Sequence, residues 1–464
     1  MAVNIKFGTY TPPPKDKEQV LVVRAVFFDG TLNNKTNTEG RLAYHKESKW
    51  EEISDSDGKK SKAYRKYGID DEKSSYQNEY SNVARIWEGY NDKQSVYVEG
   101  MGTTDIGDDD IPGYAFGAGK TGIKARVDKG CMLLVTTLPK GETITVLKLD
   151  VFGFSRGATA ARHFVSEVSK AEIKGVNPTP AYGYLAKYLK DKKITVEKLE
   201  IRFLGIYDTV SSYEPKATSV VSIDAISHNF KNDVAELSLN NIQKAKCVLH
   251  LTAENEHREN FALTHAHTGL ERSLPGVHCD IGGSYTSGTE KVAIILEGSK
   301  YQLEAEKNRL VQQGWYLDEE FAISFWGPNH ELSGKRRLKH TYSYVPLHIM
   351  VDYAKQFDNA ISINKKLLEE IKYDISNDQL LVRARKKLKN YVFNNGNAYT
   401  FKWFKDVHLK YKGVKTNEPR YAEYQRELQE QKDLRALRHG YLHWSANYKG
   451  VGMDPTPDRV RVPY

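Results

Sequence analysis

"LDVFGFSRGATAARHF", residues 149–164, is the stretch that decides the fold. An apolar run stops at Gly153, Ser155 stands between two glycines, and the small residues Ala158, Ala160 and Ala161 follow. Gly153 to Gly157 fits G-x-S-x-G, the pattern of a nucleophile elbow. It has the context this motif needs: "TITVLKLDVFGFS" (143–155) reads as a strand and "RGATAARHFVSEVSK" (156–170) as a helix. In an elbow the turn is so sharp that the serine takes a strained backbone conformation, and flanking glycines let strand and helix pass close together. The hydroxyl then stands at the carboxyl edge of the sheet. The helix behind it offers free N–H groups and a partial positive charge to a developing oxyanion. The plain alternative for the same residues is a strand-to-helix turn with a capping serine.

Working outward, "QVLVVRAVFFDGT" (19–31), "QSVYVEGMGTT" (94–104), "KLEIRFLGIYDTV" (198–210) and "AKCVLHLTA" (245–253) read as further strands, and residues 119–138 as a helix. Strands separated by helical stretches predict an α/β fold with a mostly parallel central sheet flanked by helices. Residues 1–19 form a polar, proline-bearing arm, and 20–290 the expected catalytic core. A charged, apolar-poor surface insertion lies at 35–76. From about residue 291 to 464 the texture turns to charged helical patterns (301–315, 347–357 and 421–442), predicting helical elements that complete the core or form a cap or lid.

Bulk properties narrow the class. The 464 residues carry a net charge of +8 with mixed signs, which favours approach to anionic surfaces, while no nucleic-acid-binding signature is present. Cys131, Cys247 and Cys279 are too few for a disulfide framework and read as free thiols. The N-terminus lacks the apolar region of a secretory signal, and no window approaches a membrane span. The expectation is a protein made in the cytoplasm that leaves, if it does, without a cleaved signal.

A serine nucleophile needs a base, and the base an orienting acid; in α/β hydrolases the chain order is Ser, acid, His. Asp208 ends the next clear strand after the elbow, and "SLPGVHCDIGGSY" (273–285) presents His278 in a turn-rich loop. Ser155, Asp208 and His278 thus stand in the expected order. Asp280 is the competing acid or a brace for His278, and His250, His257, His265, His267, His340 and His443 are competing bases. "HAH" (265–267) lacks a third ligand at convincing spacing, so no metal site is expected. Oxyanion donors are expected from the backbone N–H of Arg156 and of Gly30 or Thr31 in "FFDGTLNN" (27–34), with Asp29 bracing that loop. "GYAFGAGKTG" (113–122) imitates a phosphate-binding loop, but Tyr114 stands where its first glycine is required. The acidic loop Asp105, Asp108, Asp109, Asp110 is a weak calcium candidate without EF-hand spacing.

Together "VFFDGTLNN", "GFSRGA", "FLGIYDTV", "LPGVHCDIGGSY" and "YLHWSANYKG" resemble the catalytic domain of bacterial type VI secretion lipase effectors, the GxSxG phospholipases of the first lipase-effector family. The islands run from about residue 20 to 285, with fainter ones in 335–464. The resemblance implies an α/β-hydrolase fold and phospholipase A activity on membrane glycerophospholipids, with Ser155 as nucleophile, Asp208 as acid and His278 as base and no required cofactor. It also implies loading on the secretion spike protein, neutralisation by a cognate immunity protein, and action in the periplasm or at the membrane of target cells. The alternatives are a cytosolic carboxylesterase acting on small esters and a catalytically silent hydrolase fold serving as an interaction module.

Overall fold

The computed structural model describes residues 19–90, 95–110, 119–173, 181–211, 234–324, 330–448 and 453–463. Most of the proline-bearing arm and the first part of the "GYAFGAGKTG" stretch lie outside them.

Six strands form one parallel sheet: β1 (Leu21–Phe28), β2 (Val96–Val98), β3 (Thr143–Phe154), β4 (Thr195–Tyr207), β5 (Ala245–Ala253) and β6 (Leu270–Leu274), in the order β2-β1-β3-β4-β5-β6. Being covered on both faces, the central strands read as near-continuous apolar runs, as parallel strands must. Alternate side chains feed two cores. Val22, Val26 and Phe28 of β1 join Leu147, Leu149 and Val151 of β3 on one face. Ala25 and Phe27 join Phe152 and Phe154 on the other.

The insertion folds as a helical hairpin, α1 (Lys35–Glu47) and α2 (Asp55–Tyr67). Its scarcity of apolar residues is offset by side-chain caps at Asn34 and Ser54 and a small cluster of Ala63, Tyr64 and Tyr76. Next come α3 (Asn82–Gly89), α4 (Ile123–Thr136), α5 (Arg156–Val168) and α6 (Tyr184–Asp191), of which α4, α5 and α6 cover the first face.

The second face is closed by α3 together with later elements. These are α7 (His278–Gly282), β7 (Gly288–Gly298), α8 (Lys300–Gln312), β8 (Phe321–Ser324), β9 (His330–Leu338), α9 (Tyr344–Phe357), α10 (Gln379–Asn394), α11 (Phe404–Lys410) and α12 (Pro419–Gly440). Helix α9 supplies Leu347, Ile349, Met350 and Val351 to the cluster holding Phe152 and Phe203. Residues on both sides of position 290 therefore share one packed interior. Strands β7, β9 and β8 form a separate antiparallel sheet where the sequence predicts only helices. No helix among the described residues is long and apolar enough to cross a membrane, and the three cysteines are free.

Register places the site. Phe28 pairs with Gly153, Phe154 with Tyr207, and Tyr207 with Leu251. The residues that follow β1, β3 and β4 are Asp29, Ser155 and Asp208, so all three emerge along one carboxyl edge. The chain reverses direction across the sheet between β1 and β3, the switch point where open α/β sheets bind ligands.

Candidate active site

Ser155 has φ 59° and ψ −130°, the strained conformation expected of the elbow. Its N–H donates to Tyr207 O at 3.0 Å, tying the turn to the end of β4. The flanking glycines are required by close approach. A Cβ on Gly153 would lie 2.5 Å from Gly157 O, and one on Gly157 would lie 2.3 Å from Asp29 O.

Asp208 follows directly at φ 42°, a second non-glycine residue in the left-handed region at this edge. Its buried carboxylate takes Ala253 N–H on Oδ1 at 2.8 Å and faces His278 Nδ1 across 2.5 Å from Oδ2. Burial opposes ionisation of Asp208, but Arg461 and His278 outweigh it and hold the carboxyl well below the usual carboxylate range. Burial pulls His278 below its ordinary value, an effect the hydrogen bond and charge of Asp208 partly offset. The imidazole packs between Phe154, ring centroids 4.6 Å apart, and Phe261 at 5.0 Å. Since Phe154 precedes Ser155, the ring contact sets the histidine beside the elbow. No hydrogen bond joins the Ser155 hydroxyl to His278. Catalytic hydrogen bonds are often slack without substrate.

The competing residues sort cleanly by contact. Asp280 pairs with His443, Oδ1 to Nδ1 at 2.7 Å, and its Oδ2 accepts Val277 N–H and His443 N–H, each at 3.0 Å. It braces the turn that carries His278 rather than the imidazole. His250 bonds Glu271 at 2.8 Å and takes Thr209 N–H at 3.1 Å, steadying the backbone after Asp208. His265 also meets Glu271, and His257 meets Asn255 O. His340 contacts Ser287 and Tyr344.

On the β1 loop, Asp29 accepts Gly30 N–H at 2.7 Å and the Tyr97 hydroxyl at 2.6 Å. Burial pushes its carboxyl up to about 6. Gly30 N–H is therefore taken up by Asp29, while Thr31 N–H makes no hydrogen bond among the described residues. Arg156 Nε donates to Thr31 Oγ1 at 2.8 Å and so links this loop to the elbow. In the acidic loop, Asp109 accepts from Ser75 N–H and its hydroxyl, and Asp110 accepts from Thr121. Among the described residues no cluster of three metal-ligating side chains occurs.

Three participants carried no signal in the sequence. Glu256 accepts His278 N–H at 3.2 Å and the Ser445 hydroxyl at 2.9 Å, and pairs with Arg258 in a two-point contact. Arg461 donates to both oxygens of Asp208. Neither contact could be read from spacing, because the partners of Asp208 and Glu256 lie up to 253 residues away.

Comparison with known proteins bears on the family and the fold. Residues 167–304 match the family model described as "T6SS, Phospholipase effector Tle1-like, catalytic domain". That span contains Asp208 and His278, while Ser155 lies just before it. The structure of the Tle1 effector bound to the VgrG spike of the type VI secretion system aligns over 99% of this chain and 98% of that one, at 18% identity and a TM-score of 0.57. An uncharacterized protein from Pseudomonas aeruginosa aligns over 92% of this chain and 60% of that one, at 14% identity and a TM-score of 0.38, too low to carry an argument. No curated protein sequence matches. The family that the sequence islands resemble, the Tle1-like phospholipase effectors of type VI secretion, is thus the one whose catalytic-domain model residues 167–304 match, and the chain shares its fold with the Tle1 effector.

Proposed function

We propose that the chain is a phospholipase A that cleaves acyl esters of membrane glycerophospholipids through Ser155, His278 and Asp208. The observation that carries this reading is the buried Asp208–His278 pair at 2.5 Å, set by ring contact beside a strained Ser155 on neighbouring strand ends. His278 takes the serine proton as Ser155 attacks the ester carbonyl. Asp208 holds the imidazole in the tautomer that keeps Nε2 bare and then stabilises the imidazolium. The tetrahedral oxyanion is received by the backbone N–H of Arg156, at the N-terminus of α5, and by that of Thr31 in the loop after β1. Collapse returns the proton from His278 to the departing lysophospholipid. Water, activated by the same histidine, then releases the fatty acid. Asp29 and Asp280 serve as braces, one for the oxyanion loop and the other for the turn of His278. No step calls for a metal or an organic cofactor.

The remainder of the reading follows the family. The chain is an antibacterial effector loaded on the secretion spike, delivered to the periplasmic side of target membranes, and held silent in the producer by an immunity protein. The neighbouring fold, solved on a VgrG spike, supports the first of these.

The test is fatty-acid release from phospholipid vesicles by the native chain and by Ser155→Ala, with positionally labelled lipid to name the bond cut. The variant is expected to lose on the order of 10⁶-fold in kcat. Cleavage of a short soluble ester without action on vesicles would move the assignment to a carboxylesterase. Failure of Ser155 to react with a fluorophosphonate would leave an interaction module.

A further inference from the structure

Asp208 is held from a direction that the reaction itself does not require. Arg461 Nη1 donates to Asp208 Oδ1 at 2.5 Å and Nη2 to Oδ2 at 2.9 Å, a two-point fork on the carboxylate that also faces His278. Its Nε donates to Phe261 O at 2.7 Å, and the ring of Phe261 forms one wall of the imidazole. One guanidinium thus fixes both the acid and the histidine's packing partner.

Its carrier is residues 453–463, which run along the 255–264 loop. Glu259 N–H bonds Asp454 O, Thr456 N–H bonds His257 O, and Leu263 N–H bonds Val462 O, at 2.8–2.9 Å. Val460 and Val462 point outward, so the alternation turns Arg461 inward. Arg459 is anchored separately, by Glu306, Ile295 O and the face of Trp444. The segment is stitched down on both sides of Arg461.

We propose that Arg461 is a positioning residue for the catalytic acid, and that docking of residues 453–463 completes the active site by delivering it. This inference rests on the triad reading above. Two effects follow. The fork fixes the carboxylate plane so that Oδ2 meets His278 Nδ1 in line, an alignment on which the tautomer and orientation of the base depend. Its positive charge also shares the carboxylate with the imidazole, which limits how strongly Asp208 favours the imidazolium. The titratable and charged groups around His278 are Asp208 after β4, Glu256 and Arg258 after β5, Asp280 and the neutral Cys279 thiol on its own helix, and Arg461. Arg461 is the one among them that is carried in by a separate segment.

The experiment compares Arg461→Gln, Arg461→Lys, Asp208→Asn and the native chain on a soluble short-chain ester, with pH profiles of kcat/KM and thermal melting. Arg461→Gln is expected to lower kcat by about 10–100-fold, the range for a misaligned but intact catalytic group. Its acidic limb should move to higher pH, because the imidazolium is no longer opposed by the guanidinium. Arg461→Lys should keep the acidic limb of the native chain while recovering only part of kcat, since an ammonium cannot span both carboxylate oxygens and Phe261 O. A folded Arg461→Gln with native kcat and a native limb overturns the proposal. If Arg461→Gln does not fold, Arg461→Lys decides it, and a kcat within twofold of native overturns it. Asp208→Asn keeps the two readings apart. If it retains activity, the triad assignment itself fails; if it is silent while the Arg461 variants behave as native, only the role of Arg461 fails.

Discussion

At the scale of single residues, the site runs on burial set against pairing. In the proposed mechanism His278 must be neutral to accept the serine proton, and burial pulls its pKa below the ordinary histidine value near 6.5. The sign follows directly. Lowering the pKa extends the neutral form to lower pH, so activity is lost only once the medium falls below the depressed value. Asp208 stays ionised throughout that range. The acidic limb of kcat/KM on a soluble ester is therefore expected below pH 6.5, and a limb at or above 7 would show that another group sets it. The grouping of Ser155, Asp208 and His278 at one sheet edge was legible in the sequence because chain order and strand ends constrain them together. Arg461 was not. An arginine between two valines has no local pattern, and its meaning comes from a contact made across 253 positions. Chain order and a strand end already favoured Asp208 over Asp280 in the sequence, and the contacts agree, since Asp208 meets His278 while Asp280 meets His443.

At the scale of elements, the parallel sheet and the elbow were readable because burial on both faces writes long apolar runs. The antiparallel sheet was hidden for the opposite reason. Strand β9, "HELSGKRRL", buries Leu332, Gly334, Arg336 and Leu338 in proper alternation, but one inward position is a charge. Arg336 is satisfied by Glu290 and by the carbonyls of Trp315, Arg438 and Leu442 at 2.6–2.8 Å, a cage drawn from three other parts of the chain. Strand β6, "LERSL", has two charges in five residues and was lost in the same way. The insertion's helices were obscured by their polarity, which caps and ion pairs accommodate. Glycines give these elements a direct test. Gly157→Ala drives a Cβ against the β1 backbone and is expected to cost about 1–3 kcal/mol in denaturant unfolding and to slow fluorophosphonate labelling of Ser155. Gly58, inside α2 with open space around its Cβ position, should instead gain up to about 1 kcal/mol as Gly58→Ala, with labelling unchanged. Equal effects at the two positions would remove the close-packing argument for the elbow.

At the scale of the whole molecule, the question is how a chain whose described residues include no helix suited to crossing a bilayer meets its proposed substrate. The net charge of +8 supplies a long-range attraction to anionic lipid, and such attraction is screened over about 10 Å at about 0.1 M salt. The proposed chemistry at Ser155 takes place among buried groups that salt screens much less. The two contributions therefore separate experimentally. With vesicles rich in anionic phospholipid, raising salt from about 50 mM to about 300 mM should raise the apparent KM several-fold and leave kcat nearly unchanged. Zwitterionic vesicles and a soluble short-chain ester should show little dependence over the same range. An equal salt effect on the soluble ester would place the sensitivity in the active site or in the stability of the fold. No salt effect on anionic vesicles would mean that the lipid is met through apolar contact, and the exposed side chains to substitute first would then be Trp50 at the tip of the insertion hairpin, 96% exposed, and Leu409 in α11.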